Sequence, residues 1–147
     1  MTSEGSRASR VVRSGLKVGR LPLLIGGMLA LLAGVTGGLL RAGLQVPVLR
    51  ADHAALHAAL LIGGFFGTVI ALERAAAHGR ALAFGAPASA VAGTLTLVFA
   101  DAPRLVVILF LASGVVLTWV TWRLHRRQPQ LHSWVLLAGA ACFPLGT

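Results

Sequence analysis

Between Leu21 and Leu40 the chain reads LPLLIGGMLALLAGVTGGLL, twenty residues without a charge. Similar runs return over His53–Leu72, Leu82–Ala100 and Leu105–Trp122, and a fifth, Leu131–Thr147, ends at the last residue of the sequence. A helix of roughly 17–25 apolar residues covers the hydrocarbon core of a bilayer, so each run has spanning length. A soluble core would show polar residues at strand or helix period, and these runs do not. Charged residues make up 12% of the chain, against roughly 25% in soluble domains. The fold class that follows is all-α, a polytopic transmembrane helix bundle of about five spans.

The net charge of +9 comes from twelve arginines and one lysine set against four acids. A nucleic-acid surface would cluster them on one polar face, whereas here they sit between the apolar runs. Arg7, Arg10, Arg13, Lys17, Arg20, Arg74, Arg80, Arg123, Arg126 and Arg127 fall on one side of the resulting topology, and Arg41, Arg50 and Arg104 on the other. Cytoplasmic connections carry the excess of Lys and Arg, which predicts a multi-pass protein of the cell membrane with a cytoplasmic N-terminus. Trp119, Trp122 and Trp134 fall at the cytoplasmic ends of spans four and five, as an interfacial aromatic belt does.

Residues 1–20 form a basic arm, and residues 21–147 form the bundle. The arm is suited to anionic lipid, each basic residue contributing about 1 kcal/mol near that surface. A secretory signal is the alternative, but Leu21–Leu40 exceeds the usual apolar region of about 7–15 residues and no A-x-A-like site closes it. The fifth run ends without flanking charges, which predicts truncation at the C-terminus and further helices or subunits completing the bundle. Cys142 is the lone cysteine, so no disulfide forms within the chain.

Small residues recur at intervals of four: Gly26, Ala30, Gly34 and Gly38 on the first span, and Ala55, Ala59, Gly63, Gly67 and Ala71 on the second. Such stripes let backbones approach where lipid provides no hydrophobic drive. They predict an antiparallel hairpin with the two stripes in contact. Asp52 and Asp101 are placed to begin the second and fourth spans. Pro87 lies inside the third span and predicts a bend there. Ser89, Thr94, Thr96, Ser113 and Thr118 are read as hydrogen-bonders to neighbouring helices or to their own backbone.

Histidine is costly in lipid, yet the second span begins DHAALH. On a helical wheel His53 and His57 lie within about 40° of each other and one turn apart. Gly64, Thr68 and Ala71 continue the sector below them, a surface against which a flat ring could lie. Ionisable groups at membrane depth mark functional sites because their cost needs an offsetting partner. Neutral imidazole suits copper, zinc and iron, including axial ligation of haem. Two histidines at i, i+4 can share one metal, but they cannot supply both axial ligands of one haem, which approach from opposite faces. The plain alternative is a solvated His53 and a His57 bonded to a carbonyl of span one or three.

The run HAALLIGGFFGTVIALERA, from His57 to Ala75, resembles the second helix of haem-copper oxidase subunit I, with its H-G-x-x-M pattern. It is also similar to NnrS-type haem- and copper-containing membrane proteins. The resemblance implies an axial haem ligand at the outer face, at His53 first and His57 second, or a copper site there. It covers about twenty residues, and Ala54 and Leu60/Leu61 stand where glycine and methionine are expected.

Glu73 and Arg74 close the second span as an interfacial ion pair, with Arg80 or Arg123 as further partners for the carboxylate. His78 and His125 fall in basic connections and are expected to be solvated, and His132 begins span five a membrane thickness from His53. No nucleophile–base pair and no HExxH motif occurs in any span, which argues against a hydrolase. The readings in play are a haem- or copper-binding membrane protein with an electron-transfer or gas-responsive role, and a transport or scaffold subunit with structural histidines. A third is a regulatory protein held to anionic lipid by its arm.

Overall fold

The computed structural model describes residues 20–47, 52–127 and 129–146. The arm before Arg20, Arg50 and the last residue lie outside them. Five helices follow in order: α1 (Arg20–Arg41), α2 (His53–His78), α3 (Ala81–Phe99), α4 (Pro103–His125) and α5 (Leu131–Leu145). The first four are long and apolar enough to cross a membrane. The fifth has 15 residues, about 22 Å of helix, short of a hydrocarbon core of about 30 Å.

Helix ends follow local chemistry more than apolar content. The second helix runs six residues past the expected Leu72, because Glu73 and Arg74 do not stop a helix and Gly79 does. Gly79 takes φ 74°, and its N–H closes onto the Ala75 carbonyl at 3.0 Å, a left-handed cap that favours glycine. Asp52 holds the N-cap position of α2 without a side-chain capping bond. Asp101 stands one residue too early to cap α4, because Pro103 takes the first helical position and leaves Ala102 as the cap. Pro87 lies just after α3 changes its winding. Residues Ala81–Phe84 form a 3₁₀ turn and the α-helix proper starts at Gly85. The ring therefore sits in a first turn, whose N–H groups have no helical partner to lose.

α2 is not uniform: Leu60–Phe66 winds as a π-helix between α-helical ends. This wide turn carries Gly63 and Gly64 and the fully buried Leu60. It packs against α1 and α3, and Gly63 faces Phe110 of α4.

The hairpin of α1 and α2 is present, with a different face from the expected one. The α1 side is Gly27, Ala30, Gly34 and Gly37. A Cβ on Gly34 would lie 2.7 Å from Leu61, and one on Gly37 would lie 2.7 Å from the His53 carbonyl. The α2 side is His53, His57, Leu61, Gly64 and Thr68. Gly63 and Gly67 face elsewhere, against Phe110 of α4 and Phe143 of α5, at 2.9 and 3.0 Å from an added Cβ. Gly26 faces Val91 of α3, and Gly38 only approaches His57. The physical reason is drift: a step of four residues turns about 40° past a full turn, so a period-four stripe leaves one face within three steps.

Aromatic rings fill these glycine slots. Phe110 packs over Gly63 and Gly93, and Phe143 over Gly67 and Gly114. Thr118 bonds both its own helix at the Gly114 carbonyl and the Ala140 carbonyl of α5, each at 2.8 Å. Ser89, Thr94 and Thr96 bond back to carbonyls four residues earlier. Ser113 is the exception: its buried hydroxyl has no partner. The outer surface is apolar, with Leu21, Leu29 and Leu32 of α1 and Leu131 and Val135 of α5 more than half exposed.

Candidate functional site

His53 opens α2 and is 2% exposed. It is not solvated. Its Nε2 lies 2.9 Å from the Ala33 carbonyl and 3.3 Å from Thr36 Oγ1. A carbonyl only accepts, so Nε2 carries the proton and Nδ1 the lone pair. Thr36 donates its own hydrogen to Ala33 at 2.9 Å. The imidazole thus ties the start of α2 to the fourth turn of α1, and its Nδ1 is enclosed without a hydrogen bond.

His57, one turn on, is half-buried over Gly37 and Gly38 of α1. Its Nδ1 lies 3.0 Å from the Ala54 carbonyl. By the same reasoning Nδ1 carries the proton and Nε2 keeps its lone pair. Metal-ligating histidines usually hold one N–H on a carbonyl or carboxylate, which fixes the tautomer and frees the other nitrogen. His57 has that arrangement at Nε2. In His53 the bonded nitrogen is Nε2, and the remaining one is enclosed.

The pair does not fit a shared metal. The two rings bond different carbonyls, and among the described residues no group of three or more His, Cys, Asp or Glu side chains converges as a metal site. The small-residue face below the histidines is also filled: Gly64 packs against Ala30 and Thr94, and Thr68 against Gly27. A flat ring has no room on that face. A single ligand at His57 Nε2 does fit the donor chemistry, with any opposing ligand supplied from elsewhere. Beside His53 a largely apolar cavity of about 280 Å³ opens between α1 and α3, lined among others by Thr36, Thr94, Val98 and Phe99.

At the other end of the bundle Glu73 and Arg74 make their ion pair at 3.5 Å, with the carboxylate largely exposed. Arg80 and Arg123 are not its partners. His78 and His125 are buried there, 6% and 7% exposed, contrary to the solvated positions expected of them. His78 meets the Trp119 ring edge-on at 5.6 Å. His125 packs against Trp134 with the ring planes tilted by 53° and the centroids 4.4 Å apart, and its Nδ1 lies 2.6 Å from Ser133 Oγ. Spacing carries the signal: His78 follows Ala71 and Ala75 on one helical face, and His125 follows Leu117 and Thr121.

Fold and site together define an all-helical bundle with four membrane-length apolar helices and a histidine-bearing contact between the first two. The chain belongs to the family described as a domain of unknown function (DUF8744), whose model matches residues 20–147. No curated protein and no solved structure matches it.

Proposed function

We propose that the chain is an integral membrane protein that binds haem or copper near the outer face through one imidazole, His57, while His53 acts as a structural clamp. The observation that carries this reading is the His57 ring, held at Nδ1 by the Ala54 carbonyl at 3.0 Å with Nε2 unbonded. A bound haem or copper supplies one-electron transfer or the binding of a small gas. The chain's part is to fix the ring's tautomer, place it about one turn inside the membrane and pack α1 behind it. His57 would be the one side chain of this chain to hold the group, any further ligand would come from another helix or subunit, and the apolar flanks of α1 and α5 offer the surface for one.

The topology belongs to the same proposal. Ten basic residues on one side support a cytoplasmic N-terminus in the cell membrane, and the arm before Arg20 is suited to anionic lipid. α5 then enters the membrane from the cytoplasmic side, and further helices or subunits complete the bundle.

A second reading, a transport or scaffold subunit with structural histidines, is favoured by the His53–Ala33 bond, which explains one imidazole without any cofactor. The two separate on a purified sample. Expression of the full chain with haem supply, followed by oxidised and reduced visible spectra and metal analysis in detergent, is expected to give a Soret band or stoichiometric copper. Absence of both would leave the scaffold reading.

A further inference from the structure

The basic end of the bundle holds a second site. His78 closes α2, Arg80 follows its cap, and Trp122, Arg123, Arg126 and Arg127 come from the last turn of α4 and the residues after it. Together these six line a pocket of about 320 Å³. The arginines are positioned by aromatic rings: Arg123 lies 5.2 Å from the Trp119 centroid, and Arg126 5.2 Å from that of Trp122. Such contacts hold a guanidinium in place and leave its N–H fork available.

Four exposed arginines line this pocket, with no carboxylate among the described residues that do. The chain has four acids. Asp52 and Asp101 belong to the opposite end of the bundle, Glu73 pairs with Arg74, and Glu4 lies outside the described residues. Gathering like charges without a counter-charge is unfavourable unless an anion joins them.

His78 is the independent sign. It is buried, at 6% exposure, and neither ring nitrogen has a hydrogen-bond partner. A buried imidazole has at least one N–H to place, and an unmet donor costs free energy. Trp119 meets the ring edge-on and offers at most its π face, a weak acceptor. The missing group is therefore an acceptor, on the wall of a pocket whose other members are mostly cations. Phosphate matches on both counts: it is anionic, presents several acceptor oxygens and pairs bidentately with arginine.

We propose that His78, Arg80, Arg123, Arg126 and Arg127 form a binding site for a phosphate group at the basic end of the bundle. Basic pockets between membrane helices commonly take phospholipid head groups, and a soluble phosphate is the other source of the same chemistry. The site is separate from His57 and from the proposed metal chemistry.

The test uses the full chain in neutral detergent and follows tryptophan emission, since Trp122 lines the pocket. The probes are phosphatidylglycerol, phosphatidylcholine of equal chain length, and inorganic phosphate. Phosphatidylglycerol is expected to give a saturable change, with phosphatidylcholine giving far less. The double variant Arg126→Gln/Arg127→Gln is expected to weaken binding about thirtyfold, while Arg41→Gln/Arg104→Gln at the opposite end leaves it unchanged. His78→Phe keeps the ring's bulk, removes both nitrogens and is expected to weaken binding too. Should the double variant lose its single size-exclusion peak, Arg80→Gln replaces it. Competition by inorganic phosphate at millimolar concentration identifies a soluble source, and its failure identifies the lipid head group; both support the site. Equal response to the two lipids, no saturable response, or unchanged binding in the pocket variants would overturn it. So would loss on neutralising Arg7, Arg10 and Arg13 alone.

Discussion

At the residue scale the two histidines of DHAALH divide their labour by which nitrogen is bonded. His53 gives its Nε2 proton to Ala33 across the helix contact, whereas His57 gives its Nδ1 proton to its own helix. Removing the first should be a stability event. His53→Leu is expected to lower stability by about 0.5–1.5 kcal/mol through the lost interhelical bond, and His53→Gln by less, because its amide still donates. Thermal unfolding in detergent, followed by tryptophan emission, checks this; an unchanged midpoint for His53→Leu would show that the bond contributes nothing. The i, i+4 spacing makes both residues visible in the sequence, but spacing is silent on tautomers. For His53 the bonded carbonyl is one that only the packed helices bring within reach, and for His57 it belongs to the same helix. On these bonds His57 is preferred to His53 as the proposed ligand.

At the element scale, glycine positions decide which helix meets which. Gly64→Leu places a side chain where a Cβ already lies 2.7 Å from Thr94 Oγ1 and 2.8 Å from Ala30 Cβ. It is expected to cost about 1–3 kcal/mol by overpacking, or to separate α1 from α2. Gly139→Ala, with nothing within 4 Å of the added Cβ, is expected to leave the melting midpoint unchanged or slightly raised. A large loss at Gly139 or none at Gly64 in the same melting assay would contradict this packing.

The existence and order of the helices are legible in the sequence, because apolar runs of this length have few alternatives. Their faces and ends are less so. The stripe through Gly63 and Gly67 reads as one line, although a period of four drifts around the helix, and the π-helical turn at Leu60–Phe66 leaves no mark in composition. Gly79 after His78 is a readable stop signal, obscured by the charges at Glu73 and Arg74 that precede it. The same charges obscure the burial of His78, and with it the pocket at the basic end.

At the scale of the whole molecule, charge is sorted by end. Arg80, Arg123, Arg126 and Arg127 gather at one end of the bundle, and Asp101 and Arg104 lie at the other. The proposed orientation predicts labelling: in a Cys142→Ser background, Asp101→Cys should react with an impermeant maleimide in intact cells, and Pro129→Cys, in the exposed connection before α5, only after lysis. The reverse pattern would invert the topology and move His57 to the inner face.

In the proposed function His57 Nε2 is the single ligating nitrogen that this chain supplies. The most direct test compares visible spectra and metal content of the full chain with those of His57→Ala and His53→Gln, all purified after haem supply. A Soret band or stoichiometric copper is expected that disappears in His57→Ala and persists in His53→Gln. A signal that survives His57→Ala would contradict ligation through that nitrogen.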